Sequence, residues 1–140
     1  MPHPSTRARP TGCPGYSETL PCEPESAATA RRLVRAALLA WGLDGYVEDA
    51  VVVVSELVGN AVRHSGSRSL RVTVTRPGAA RVRIGVVDKS TMPPRPGMPE
   101  DEDESGRGLV LVEDLAAVWG SDPLPWGKRV WAELRGEGRG

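Results

Sequence analysis

Val51-Val52-Val53-Val54-Ser55-Glu56-Leu57-Val58-Gly59-Asn60-Ala61-Val62-Arg63-His64-Ser65 is the stretch on which the reading of this chain turns. At about 100° per residue, Val47, Val51, Val54, Val58, Ala61 and Val62 fall on one side of a helix, and Glu56, Asn60, Arg63 and His64 fall on the other. A carboxylate and an amide therefore stand side by side, one turn apart. Asparagine prefers caps to helix interiors, so its place inside an apolar run asks for a reason beyond propensity. From this helix alone, a solvated stripe and a ligand-binding stripe both stand as readings.

Upstream, Ser26 suits an N-cap, and Ala30, Leu33, Val34, Ala37, Leu38 and Trp41 recur at helical spacing until Gly42 ends the helix. Arg31, Arg32 and Arg35 occupy its other face, which reads as a solvated basic face ahead of a partner-binding one. Asp44 is placed to cap the second helix, which should run to about Ser65-Gly66. Before the first helix, Tyr16-Ser17-Glu18-Thr19-Leu20-Pro21 alternates weakly, as an edge strand can, and residues 1–16 read as a disordered tail.

Downstream, Leu70, Val72 and Val74 alternate with Arg71, Thr73 and Thr75. Past a turn at Pro77-Gly78, Val82, Ile84 and Val86 alternate with Arg81 and Arg83, which makes an antiparallel hairpin with one buried face. The second strand closes at Val87-Asp88-Lys89-Ser90. Residues 89–105, rich in proline and carrying the acidic run Glu100-Asp101-Glu102-Asp103-Glu104, read as a functional lid or a disordered insert. Ser105-Gly106-Arg107-Gly108 opens a third helix whose apolar face is Leu109, Leu111, Val112, Leu115, Ala116 and Val118. A strand is expected around Val118 to Asp122. After Gly127-Lys128, Val130, Ala132 and Leu134 alternate with Arg129, Trp131 and Glu133 in a last strand, and residues 136–140 are a tail.

At 140 residues the chain is one domain with a real core. Its 18 basic and 18 acidic residues balance, which argues against a direct nucleic-acid or membrane-surface binder. The N-terminus shows no apolar signal segment and no run is long enough to span a bilayer, so a soluble, cytoplasmic protein is expected. Cys13 and Cys22, with only His3 and His64 beside them, make a poor zinc set.

Four features stand in order: the helix with Glu56 and Asn60, Asp88 at a strand end, Gly106-Arg107-Gly108 at a helix start, and Gly127-Lys128-Arg129-Val130. A glycine turn into a helix offers backbone N–H groups to phosphates. An asparagine oxygen is a suitable hard ligand for Mg²⁺, and an aspartate at a strand outlet can accept a hydrogen bond from an amino group.

With these residues the sequence resembles the Bergerat-fold ATP-binding domain of gyrase B, MutL, heat-shock chaperones and histidine kinases. Ser55 to His64 looks like its N box, Asp88-Lys89-Ser90 like a degenerate first glycine box, Gly106-Arg107-Gly108-Leu109 like the second, and Gly127 to Val130 like the closing box. The short length is similar to the bacterial anti-sigma factor serine kinases. The resemblance covers about residues 17–135 and implies a two-layer α/β sandwich, a mixed, mostly antiparallel sheet with three helices on one face. It implies ATP and Mg²⁺ as cofactors, with Asn60 as metal ligand, Asp88 on the adenine amino group, and Gly106, Arg107, Gly108 and Leu109 at the phosphates. Glu56 would be the catalytic base of a protein serine/threonine kinase. The partners implied are a sigma factor, an anti-anti-sigma antagonist carrying the phosphorylated serine, and a second copy in a homodimer. His64 is read as a helix-end structural residue ahead of a role near the phosphates. Two rivals remain: a non-catalytic module of this fold that sequesters a protein, and a freestanding ATPase.

Overall fold

The computed structural model describes residues 5–6, 15–64, 66–89 and 111–136. Six strands make one sheet: β1 (Ser5–Thr6), β2 (Gly15–Pro21), β3 (Ser69–Gly78), β4 (Arg81–Asp88), β5 (Val118–Leu124) and β6 (Gly127–Arg135), in the spatial order β1-β2-β3-β4-β6-β5. Helices α1 (Ser26–Ala40) and α2 (Val47–His64), with helical residues 111–115, lie on one face. The chain thus forms the expected two-layer α/β sandwich. Among the described residues every strand pairing is antiparallel, in place of the expected mixed sheet.

The alternation of apolar residues decides which side of the sheet is covered. Leu20, Leu70, Val72, Val74, Val82, Ile84, Val86, Val130, Ala132 and Leu134 are all buried, and they meet Ala30, Leu33, Val34, Ala37 and Leu38 of α1 and the inner face of α2. Complete burial of each large aliphatic side chain contributes about 1.5–3 kcal/mol before entropy is counted. The opposite face carries Arg71, Thr73, Arg83, Val87, Arg129 and Trp131 and has no described element over it.

Helix α1 ends as its sequence foretells. Gly42 takes φ +73°, its N–H bonds the Leu39 carbonyl, and the Leu43 N–H bonds the Leu38 carbonyl, the paired bonds of a glycine-terminated helix. Its start differs from expectation. Glu25 is the N-cap, and Ser26 is the first helical residue, its hydroxyl donating to the Pro21 carbonyl at 2.6 Å. Asp44 does not cap α2 through its side chain; it opens a 3-10 turn, Asp44–Tyr46, that leads into the helix.

The buried side of α2 is Ala50, Val53, Val54, Leu57, Val58, Asn60 and Ala61, so the helix is turned relative to the expected stripe. Four successive valines span more than a full helical turn, which leaves periodicity unable to choose the centre of the face. Val52 ends 38% exposed, and Asn60 moves from the solvated side to the edge of the core. The hairpin turn also shifts. Ala79 and Ala80 make it, while Pro77 and Gly78 extend β3 beyond a bulge between Thr75 and Gly78, where the missing proline N–H is tolerated. Ser5 and Thr6, placed in the tail by sequence, pair with Ser17 and Tyr16.

Candidate functional site

Asn60 and Asp88 reach the same end of the sandwich through chain connectivity. Helix α2 stops at His64, β3 begins at Ser69, and Leu70 stands opposite Asp88, the last residue of β4. Helix α2 also packs across β4. The loop between α2 and β3 is tied down on both sides: the Lys89 N–H donates to Ser67 Oγ at 3.4 Å, and the Cys22 N–H to the Arg68 carbonyl at 2.9 Å. From α2, the Ala61 carbonyl accepts from Cys22 Sγ at 3.8 Å.

The closing motif locks the outlet from the other flank. Lys128 pairs with Asp88 in register, and a Cβ on Gly127 would collide with the Asp88 carbonyl oxygen. Only glycine lets the two backbones approach this closely. Three of the four sequence features therefore converge: the α2 residues, Asp88 and Gly127-Lys128. The fourth, Gly106, Arg107, Gly108 and Leu109, lies outside the described residues, as do residues 90–105 of the expected lid. The chain is described again from Leu111, and the third helix is shorter in its apolar face than expected: Val112 is buried, Leu111 is 44% exposed, and Val118 belongs to β5.

Within this end, Asp88 is 1% exposed and Asn60 9%. Glu56 is half-buried one turn before Asn60 on α2. A carboxylate enclosed at a strand outlet presents acceptors to an amino group, and an amide oxygen suits a hard cation. Among the described residues no three histidine, cysteine, aspartate or glutamate side chains gather as a metal set. A single asparagine fits Mg²⁺ all the same, because that ion keeps waters and phosphate oxygens as most of its ligands. The donor set present is thus compatible with a magnesium nucleotide.

A second cluster went unread in the sequence. Glu133, which alternation places on the helix-free face, has a fully buried side chain. Arg81 Nε and Arg135 Nε each donate to its Oε2 at 2.8 Å, and Arg83 donates to Oε1 through Nη2 at 3.0 Å and Nε at 3.2 Å. Burial by itself raises the Glu133 carboxyl, but the hydrogen bonds from Arg81, Arg135 and Arg83 outweigh it and hold it at about 2. The signal was the cross-strand register, Arg83 facing Glu133 and Arg81 facing Arg135, which a single strand's alternation does not contain.

Residues 20–131 match the profile of the family described as "Histidine kinase-like ATPase domain". The chain is also 32% identical, over 87 residues, to an uncharacterized protein of Streptomyces coelicolor, an alignment covering 60% of this chain and 83% of that protein. No helix among the described residues is long and apolar enough to cross a membrane.

Proposed function

We infer the function from one premise: the chain belongs to the histidine kinase-like ATPase domain family. That fold binds ATP, and the reading it supports best here is an ATP-dependent anti-sigma factor that phosphorylates a serine on an anti-anti-sigma partner. The observation that carries this reading is the convergence of Asn60, the enclosed Asp88 and Gly127 at one end of the sandwich.

Each residue then has a task. Asp88 accepts from the adenine amino group, which selects the base. Asn60 would hold Mg²⁺ through its side-chain oxygen, and the family pattern assigns Gly106, Arg107, Gly108 and Leu109 to the phosphates. Mg-ATP, when bound, would supply the γ-phosphoryl group, its bond to the β-phosphate breaking as the serine O–P bond forms and ADP leaving, with Mg²⁺ offsetting the charge. Glu56 takes the proton from the attacking serine hydroxyl. Because positioning and charge neutralisation dominate phosphoryl transfer, Asn60 should matter at least as much as Glu56.

A second reading, a module that sequesters a protein without chemistry, is favoured by one departure. Lys89, Ser90, Thr91 and Met92 follow Asp88 where the family has Asp-x-Gly-x-Gly, so the close approach that glycine permits is reduced. ATP-dependent phosphate transfer to a candidate antagonist separates the two. Transfer supports the kinase; nucleotide binding without transfer to any antagonist supports the module.

A further inference from the structure

We propose that the helix-free face of the sheet is a docking surface for an acidic, extended segment of a partner protein with one bulky apolar side chain. This rests on the reading above only in that the occupant is a protein. Whole-chain charge balances, yet among the described residues Arg71, Arg81, Arg83, Lys89, Arg129 and Arg135 gather on this face against Glu133 and Asp122, an excess of four positive charges from six cations and two acids.

The cations are held in place. Glu133 fixes three guanidinium groups, and each of those arginines keeps 43–44% of its side chain exposed. Beside them Trp131 lies close over Gly120, where an added Cβ would stand 2.9 Å from its ring. Its indole N–H donates to Asp122 at 3.1 Å, and the Arg83 guanidinium stacks 4.4 Å from its centroid. Pre-ordered planar cations lose little freedom on meeting carboxylates, which is the condition for charge pairing to give net affinity.

The same strands form a hollow at their other end, with apolar and cationic residues side by side in its lining. A concavity of about 430 Å³ is lined by Val87, Leu124 and Trp126 together with Arg71, Lys89 and Arg129. Trp126 is half exposed at the β5–β6 turn. From the Val87/Arg129 pair to the Arg81/Arg135 pair is six residues along the ladder, roughly 20 Å at 3.3–3.4 Å per residue. An extended segment of comparable length reaches from hollow to clamp, with its apolar anchor in the hollow and its carboxylates over the arginines. A second copy of this chain brings the same positive excess to the contact and is repelled.

The test uses the full chain and a peptide of about ten residues, glutamates with one leucine near an end. Titration followed by NMR should shift the indole resonances of Trp126 and Trp131 and leave Trp41 and Trp119 in place. The lysine-for-glutamate peptide should not bind. Arg71→Gln with Arg129→Gln leaves the Glu133 cluster intact and should weaken the acidic peptide at least about tenfold, as should Trp126→Ala. Binding that moves other indoles, equal binding of the lysine peptide, or unchanged affinity in both variants overturns the proposal. So does a sedimenting dimer that the arginine substitutions dissociate, since it makes a second copy the occupant. ATP affinity measured on the same samples keeps the two readings apart. Peptide binding without ATP binding removes the kinase and leaves this surface; ATP binding without peptide binding does the reverse.

Discussion

Asp88 and Glu133 are buried carboxylates on neighbouring strands, but they occupy opposite faces of the sheet and different kinds of position. Glu133 sits in mid-strand, and its counter-charges come from β4 and β6 themselves, so pairing those strands satisfies it. Asp88 sits at a strand outlet on the helix side, held by backbone: Leu70 and Lys128 alongside, Gly127 against its carbonyl. One acid organises a surface, and the other stands at the mouth of the candidate site. The contrast teaches that burial of a charge does not by itself mark chemistry.

The sharpest way to break this contrast is at Glu56, beside the Asp88 end. Glu56→Gln keeps shape and removes the proposed base, so phosphate transfer should fall by roughly 10²–10⁴ while melting temperature and nucleotide affinity hold. A variant that transfers phosphate at the wild-type rate takes Glu56 out of the chemistry.

Next in size is Glu133→Gln, whose effect should appear in stability and not in ATP binding. The folded carboxyl at about 2 lies below its ordinary 4.5, so its stabilising contribution is complete above about 4.5 and is lost as pH falls through about 2. Allowing for the partly exposed arginines, removing it should cost on the order of 2–3 kcal/mol at neutral pH. Urea unfolding between pH 2 and 7 should show the wild type losing this increment on acidification and the variant lacking it. Parallel curves for the two proteins would contradict the arginine clamp.

Asp88→Asn should act the other way, on ligand more than on fold. Loss of a hydrogen bond to a charged acceptor costs about 1.5–3 kcal/mol, at least about a tenfold weakening, and it should be equal for ATP and ADP because the contact is to the base. Calorimetric titration with both nucleotides checks this, and a loss confined to ATP would move Asp88 from the adenine to the phosphates. The smallest effect belongs to Asp122→Asn. Its ion pair with Arg129 is 44% exposed on both sides, so stability should change by less than about 1 kcal/mol, and the difference should shrink in salt.

The fold was legible where a local period was enough. Val82-x-Ile84-x-Val86 and Val130-x-Ala132-x-Leu134 declare the inner face unaided, and Gly42 and Gly66, both at positive φ, mark where α1 and α2 end. Legibility failed where the answer depends on a second segment. The run Val51 to Val54 offers several helix faces, and only packing on β4 and α1 selects the one that buries Asn60. Arg81, Arg83 and Arg135 look solvated until the β4–β6 register sets Glu133 among them. At the site, the motif order pointed to Asn60 and Asp88, whereas the contact that makes Gly127 obligatory is visible only in three dimensions.

Strand β5 lies at the outer end of the sheet order, beyond β6. An outer strand is a template for intermolecular pairing, the route to runaway assembly when its backbone groups are long, flat and unguarded. Here Pro123 has no N–H to offer, Gly120 weakens the strand, and Asp122 carries a charge, three interruptions within seven residues. This edge is therefore poorly suited to growing the sheet by another strand. The chain can carry a broad, aromatic-bearing face that no described element covers, with a low tendency to polymerise through this edge.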